Sequence, residues 1–113
     1  MIEIIDKKID ENQLLKFLGQ PFSEMIKFVV DINREVIGLG GEYHADAEAL
    51  MLDQGSKQEH PWGGNLYFDA QGKRKTEFSA YINLRPNAEN RSMLVEDEKI
   101  KNEMQRIIEN LLP

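Results

Sequence analysis

His44, Asp46 and Glu48 place an imidazole and two carboxylates at alternate positions of one short run. This is the donor set that zinc, manganese or iron(II) accepts when no thiolate is on offer. A divalent metal held there would activate water for hydrolysis. On a strand, side chains two apart point the same way, so Glu42 would join the other three on one surface. Mutual repulsion among them would then shift a pKa far enough for general acid–base work. In a helix, His44 and Glu48 remain neighbours at i and i+4 while Asp46 turns away. His60, in a loop between Glu59 and Pro61, could complete such a site. The bland alternative is a solvated polar strand face.

A second group of residues suggests ligand binding without chemistry. Arg85 and Arg91 flank a loop that also carries Asn90, and Asn83 lies just before it. Two guanidinium forks with amides between them can hold a carboxylate or phosphate bidentately. The competing use is internal, with Arg85 or Arg91 paired to Glu42, Asp46 or Glu48. Trp62 stands beside Gly63 and Gly64 and close to Asn65, where an exposed indole would stack on a ligand and a buried one would anchor the core. The candidate binding set is therefore Glu42, Glu48, Trp62, Asn65, Asn83, Arg85, Asn90 and Arg91. Ser56 and Ser79 lie in no Gly-x-Ser-x-Gly elbow or Ser-x-x-Lys spacing, and Gly38, Gly40 and Gly41 make no phosphate-binding loop.

The elements that must position these groups follow from periodicity and breakers. Ile2, Ile4 and Ile5 predict a first strand. Asp10, with Gln13 three residues on, has the spacing of a capping box for a short helix that Gly19-Gln20-Pro21 ends. Met25 to Leu39 reads as a β-hairpin turning at Asn33-Arg34. Alternation of Tyr43, Ala45, Ala47, Ala49 and Met51 predicts a strand over Glu42–Asp53, although Ala, Glu, Leu and Met individually favour helix. Trp62–Phe68 and Thr76–Leu84 read as further strands, the latter with Phe78, Ala80, Ile82 and Leu84 on one face. Asp97–Leu112 is a helix, with Ile100, Met104, Ile107, Ile108 and Leu111 at helical spacing. The expected fold is α+β: a mainly antiparallel sheet with one face covered by the short N-terminal and long C-terminal helices and the other face polar.

The 113 residues suit one domain, and 41% hydrophobic with 30% charged residues is an ordinary globular composition. With no cysteine there is no disulfide, thiolate metal site or cysteine nucleophile. A formal charge of −6 argues against nucleic acid as partner, and Lys73-Arg74-Lys75 after Gln71-Gly72 reads as a solvated hairpin tip. No apolar run approaches the ~20 residues that cross a bilayer, so a cytoplasmic protein without membrane contact is expected.

His44-Ala45-Asp46-Ala47-Glu48-Ala49-Leu50, Gly55-Ser56-x-Gln58, Trp62-Gly63-x-Asn65-Leu66-Tyr67, Ile82-Asn83-x-Arg85-Pro86 and Asn90-Arg91-Ser92, in that order, resemble a family of small uncharacterised prokaryotic proteins classed as a domain of unknown function. The resemblance implies a single domain over nearly the whole chain and brings no activity, cofactor or partner with it. The expected function is a small binding or protein-interaction module that engages a protein or a small anionic ligand through its polar face or Arg85 loop. The alternative is a metal-dependent hydrolase using His44, Asp46 and Glu48, with Arg85 or Arg91 holding negative charge. Homodimerisation through an open sheet edge is also expected.

Overall fold

The computed structural model describes residues 1–113. Strands β1 (Ile2–Ile5), β2 (Met25–Asp31), β3 (Val36–Gly40), β4 (Pro61–Phe68) and β5 (Arg74–Glu77) form one antiparallel sheet in the order β1-β3-β2-β4-β5. Three helices accompany it: α1 (Glu11–Leu15), α2 (His44–Asp53) and α3 (Glu98–Leu111). None is long and apolar enough to cross a membrane.

Central strand β2 explains how the layers form. Its β-branched and aromatic side chains alternate between two faces. Ile26, Phe28 and Val30 join Leu14 and Phe17 from the α1 region and Met104, Ile107 and Ile108 of α3 in the larger core cluster. Val29 points the other way and, with Val36, packs against Ala47 and Met51 of α2. The sheet thus has helices on both faces, and the bare polar face expected from the sequence does not exist. Each fully buried Val, Leu, Ile, Phe or Met adds roughly 1.5–3 kcal/mol.

Local signals set several boundaries. The Asp10 side chain accepts from Gln13 N at 2.8 Å while Gln13 Oε1 accepts from Asp10 N at 2.8 Å, completing the capping box that starts α1. The β2–β3 turn is held by buried Asp31, whose Oδ1 accepts from Asn33 N at 2.8 Å and Arg34 N at 2.9 Å. Its Oδ2 accepts from the Ser56 hydroxyl just beyond α2, and Arg34 Nη1 donates to Ser56 Oγ at 3.0 Å. Ser56 is therefore a structural tie between α2 and the hairpin.

Two expected strands are corrected. Residues Glu42–Asp53 are not a strand, because His44–Asp53 is helix α2. Its buried positions are His44, Ala47 and Met51, at i, i+3 and i+7, while Ala45 and Ala49 are exposed. Alternation appeared only when each alanine was counted as inward-facing and the histidine as outward-facing. The Thr76–Leu84 strand stops early: β5 ends at Glu77, Ser79 makes an isolated bridge to Leu94, and Tyr81–Asn83 is a 3-10 turn.

Candidate functional site

Where β5 breaks off, a side chain takes over its pairing. Asn83 is fully buried, and its amide mimics a strand: Oδ1 accepts from Gly63 N at 2.8 Å while Nδ2 donates to Gly63 O at 2.9 Å. Nδ2 also donates to Met93 O at 3.0 Å. Asn90 repeats the device one layer out, with Nδ2 facing the carbonyls of Asn83, Ser92 and Leu94 at 2.7, 3.0 and 2.8 Å and Oδ1 accepting from Glu96 N at 2.8 Å. These amides close the loop between β5 and α3 onto β4. Both amide NH2 groups are committed within the chain and offer no free donor to a ligand.

Arg85 is committed as well. Its guanidinium lies over the Trp62 ring, 4.4 Å from the centroid. Nε donates to Ile82 O at 3.0 Å, Nη1 to Glu59 O at 3.4 Å, and Nη2 to Pro61 O. Nη2 also pairs with Glu48 Oε2 at 3.4 Å, with both side chains largely buried. Burial pushes the Glu48 pKa up, and Arg85 and the Gln58 amide oppose that shift. Burial likewise lowers the Arg85 pKa, with Glu48 opposing, yet a guanidinium starts so far above neutrality that it stays charged. Trp62, buried among core side chains, is the anchor beneath this pair.

His44 opens α2 and turns its ring onto β4. Nε2 lies 2.8 Å from Gly64 O and 3.0 Å from Asn65 Oδ1, two acceptors that place the ring proton on Nε2. Asn65 Nδ2 donates onward to Glu77 Oε1 at 2.9 Å and to Ser79 O at 3.3 Å, and the Tyr67 hydroxyl donates to the same Glu77 oxygen at 3.3 Å. Glycine at position 63 leaves room for the imidazole, since a Cβ there would stand 3.2 Å from His44 Cδ2 and 2.7 Å from Ala80 Cβ.

Burial lowers the His44 pKa below its ordinary 6.5, with Lys27 reinforcing and the Gly64 and Asn65 hydrogen bonds opposing. A histidine kept neutral by the fold adds stability that is complete above its unfolded pKa and is lost as pH falls below it. Urea melts between about pH 7.5 and about pH 5.5 should therefore lose stability more steeply in the wild type than in His44→Gln. Parallel curves would contradict this assignment of His44.

The metal reading does not survive the geometry. No group of three or more histidine and acidic side chains comes together as a metal-binding cluster. His44 is bonded to β4, Glu48 is engaged by Arg85 and Gln58, and Asp46 points to solvent because the run is helical. Glu42 is exposed. His60 is half-buried, its Nε2 3.7 Å from Glu59, and joins no such cluster. Arg91 is exposed and enters the loop's bonds through its backbone N, donating to Glu96 Oε2 at 3.1 Å. With Arg85 spent internally, the two arginines do not form an anion clamp.

What this network frames is an open cleft of about 670 Å3 between α2 and the 81–88 segment. Its walls include Glu48, Glu59, Tyr81, Leu84, Arg85 and Pro86. Tyr81 is 78% exposed and Leu84 46%. The matching family model is that of DUF5674, a protein of unknown function, and it covers residues 3–111. The chain belongs to the DUF5674 family. No curated protein and no solved structure matches it. The DUF5674 match runs from β1 to the end of α3, so the sheet, the asparagine-tied loop and the cleft all fall within it.

Period-two alternation puts Tyr81 on the polar face and Leu84 on the apolar one, so the exposure of Tyr81 agrees with that pattern and the exposure of Leu84 departs from it. The available signal was Asn83-Leu84-Arg85-Pro86, in which the residue before a proline disfavours helix and the whole run suits a turn. Gly63-Gly64 within a strand likewise signals a close approach.

Proposed function

We propose that this DUF5674 domain is a protein-binding module whose recognition surface is the cleft between α2 and the 81–88 segment. The observation that carries the reading is a division of labour. Asn83, Asn90, Arg85, Glu48 and His44 use their polar groups on internal bonds, while Tyr81 and Leu84 stand exposed beside the cleft. Large apolar and aromatic groups fixed on a tied-down loop suit recognition of another chain, where tyrosine is favoured and little ordering entropy is lost.

Such a surface needs no turnover. A sheet-edge dimer is the weaker route, because β5 is short and carries Arg74 and Lys75, features that blunt an edge. The cleft reading is tested by Tyr81→Ser and Leu84→Ser. Each should change folding stability by no more than about 0.5 kcal/mol, since neither side chain is buried, yet the double variant should no longer retain the partner that immobilised wild-type domain retains. Equal retention by both proteins would contradict the reading.

A further inference from the structure

Lys73-Arg74-Lys75 is the chain's only run of three cations, and the binding cleft described above makes no use of it. Cross-strand partners share a sheet face. On the α2 side of the sheet, Met25, Tyr67 and Lys75 form one row and Lys27, Asn65 and Glu77 the next. Helix α2 packs over the Val29 end of this face, so Tyr67, Lys75 and Glu77 stay exposed. A cleft of about 400 Å3 opens here, walled by Tyr67, Phe68, Asp69, Lys73, Arg74 and Lys75. It shares no wall residue with the cleft between α2 and the 81–88 segment. The Phe68–Arg74 pair faces the other side of the hairpin, where Arg74 Nη1 donates to Pro113 O at 2.7 Å. The cations left to the cleft are Lys73 and Lys75.

Both lysines are free of partners. The chain's ion pairs use Lys16, His60, Arg85 and Arg106 as their basic members, although the formal charge is −6. The cleft's one carboxylate is turned to the loop: Asp69 Oδ1 accepts from Gln71 N at 2.9 Å and Lys73 N at 2.8 Å, while Asp69 N donates to Lys73 O at 3.0 Å. These bonds fix the backbone that carries Lys73 before any ligand arrives, which lowers the ordering cost of binding. Tyr67 is 39% exposed, and its hydroxyl is held by Glu77 Oε1 at 3.3 Å. An exposed ring anchored on a strand is a stacking surface.

We propose that this cleft binds a small phosphate monoester that carries a flat ring, such as a mononucleotide. The phosphate lies between Lys73 and Lys75, and the ring packs on Tyr67. Two ammonium groups suit a phosphate monoester, whose charge near neutrality is about −1.5 to −2, better than they suit a singly charged carboxylate. The volume falls in the range of roughly 300–1,000 Å3 that small-molecule sites occupy.

The test follows backbone amide shifts of the isotope-labelled whole domain, titrated in turn with inorganic phosphate, phenyl phosphate and benzylamine. Phenyl phosphate should shift the Tyr67, Lys73 and Lys75 amides saturably and bind about tenfold more tightly than inorganic phosphate, the gain expected of one ring stacked on an aromatic side chain. Benzylamine should leave them unmoved. Lys73→Gln combined with Lys75→Gln should weaken phenyl phosphate by about tenfold or more. Lys99→Gln, at an exposed position on α3, should not weaken it. Tyr67→Leu should bring phenyl phosphate down to the affinity of inorganic phosphate. The absence of a saturable shift at these amides, equal affinity for the two phosphates, or equal weakening by Lys99→Gln would overturn the proposal. Oligothymidylate binding that tightens with its length would also overturn it and give this face to a single-stranded nucleic acid.

Discussion

Gly64→Ala is expected to be among the most damaging single substitutions in this domain, costing about 3 kcal/mol or more. A Cβ at position 64 would be driven into the Phe28 ring on one strand and the Glu77 carbonyl on another. Phe28 is fully buried in the larger core cluster, and Glu77 is held by the β4–β5 pairing opposite Asn65. Neither neighbour can retreat without opening the sheet. The comparison is Gly72→Ala, where nothing lies within 4 Å and the cost is that of a positive φ of 78°, about 1–2 kcal/mol. Urea unfolding with the slope checked for constancy separates the two cases. A Gly64→Ala domain no less stable than Gly72→Ala would show that β4 does not approach its neighbours as closely as described.

Asn83→Ala should cost a similar amount, about 3 kcal/mol. The substitution leaves Gly63 N and O without their buried partner, and each orphaned group carries a penalty of about 1–3 kcal/mol before any relaxation. The effect should reach function too, because the same amide seats the loop bearing Tyr81 and Leu84. Asn87→Ala, exposed on the same loop, should stay within about 0.5 kcal/mol of wild type. Equal melting of the Asn83 and Asn87 variants would refute the role of Asn83 as a substitute strand.

The elements most legible in the sequence are those whose residues answer to one influence at a time. Met104, Ile107, Ile108 and Leu111 keep helical spacing because α3 packs on one side only. Asp10 and Gln13 carry a capping box in their spacing, and β2 with β3 shows in a run of β-branched residues around an Asx turn. The long-range partners were not legible. Ala45 and Ala49 suit either surface or core, so the period of α2 depended on the fate of His44, which is decided by Gly64 and Asn65 on another element. Asn83 ends a strand pattern because its side chain finds Gly63 twenty residues away, a distance in sequence that no local period encodes.

The candidate site divides in the same way. The pairing of Arg85 with Glu48 was among the internal uses that charge alone suggested. The metal set failed because His44, Asp46 and Glu48 share a surface only on a strand, and the chain made a helix. What remained for a partner, Tyr81 and Leu84, carries no chemical signature in a sequence. Their significance lies in being exposed beside a loop whose Asn83, Asn90 and Arg85 side chains are bonded within the chain.

The central claim is that the 81–88 face binds another protein while the polar residues around it hold it in place. A photo-cross-linking side chain at position 81, in the living source cell, tests this most directly, with the same side chain at exposed Asn102 on α3 as control. One discrete adduct at position 81, absent at position 102 and lost when Leu84→Ser is added, is the result expected. No adduct at position 81, or the same adducts from both positions, would contradict the account.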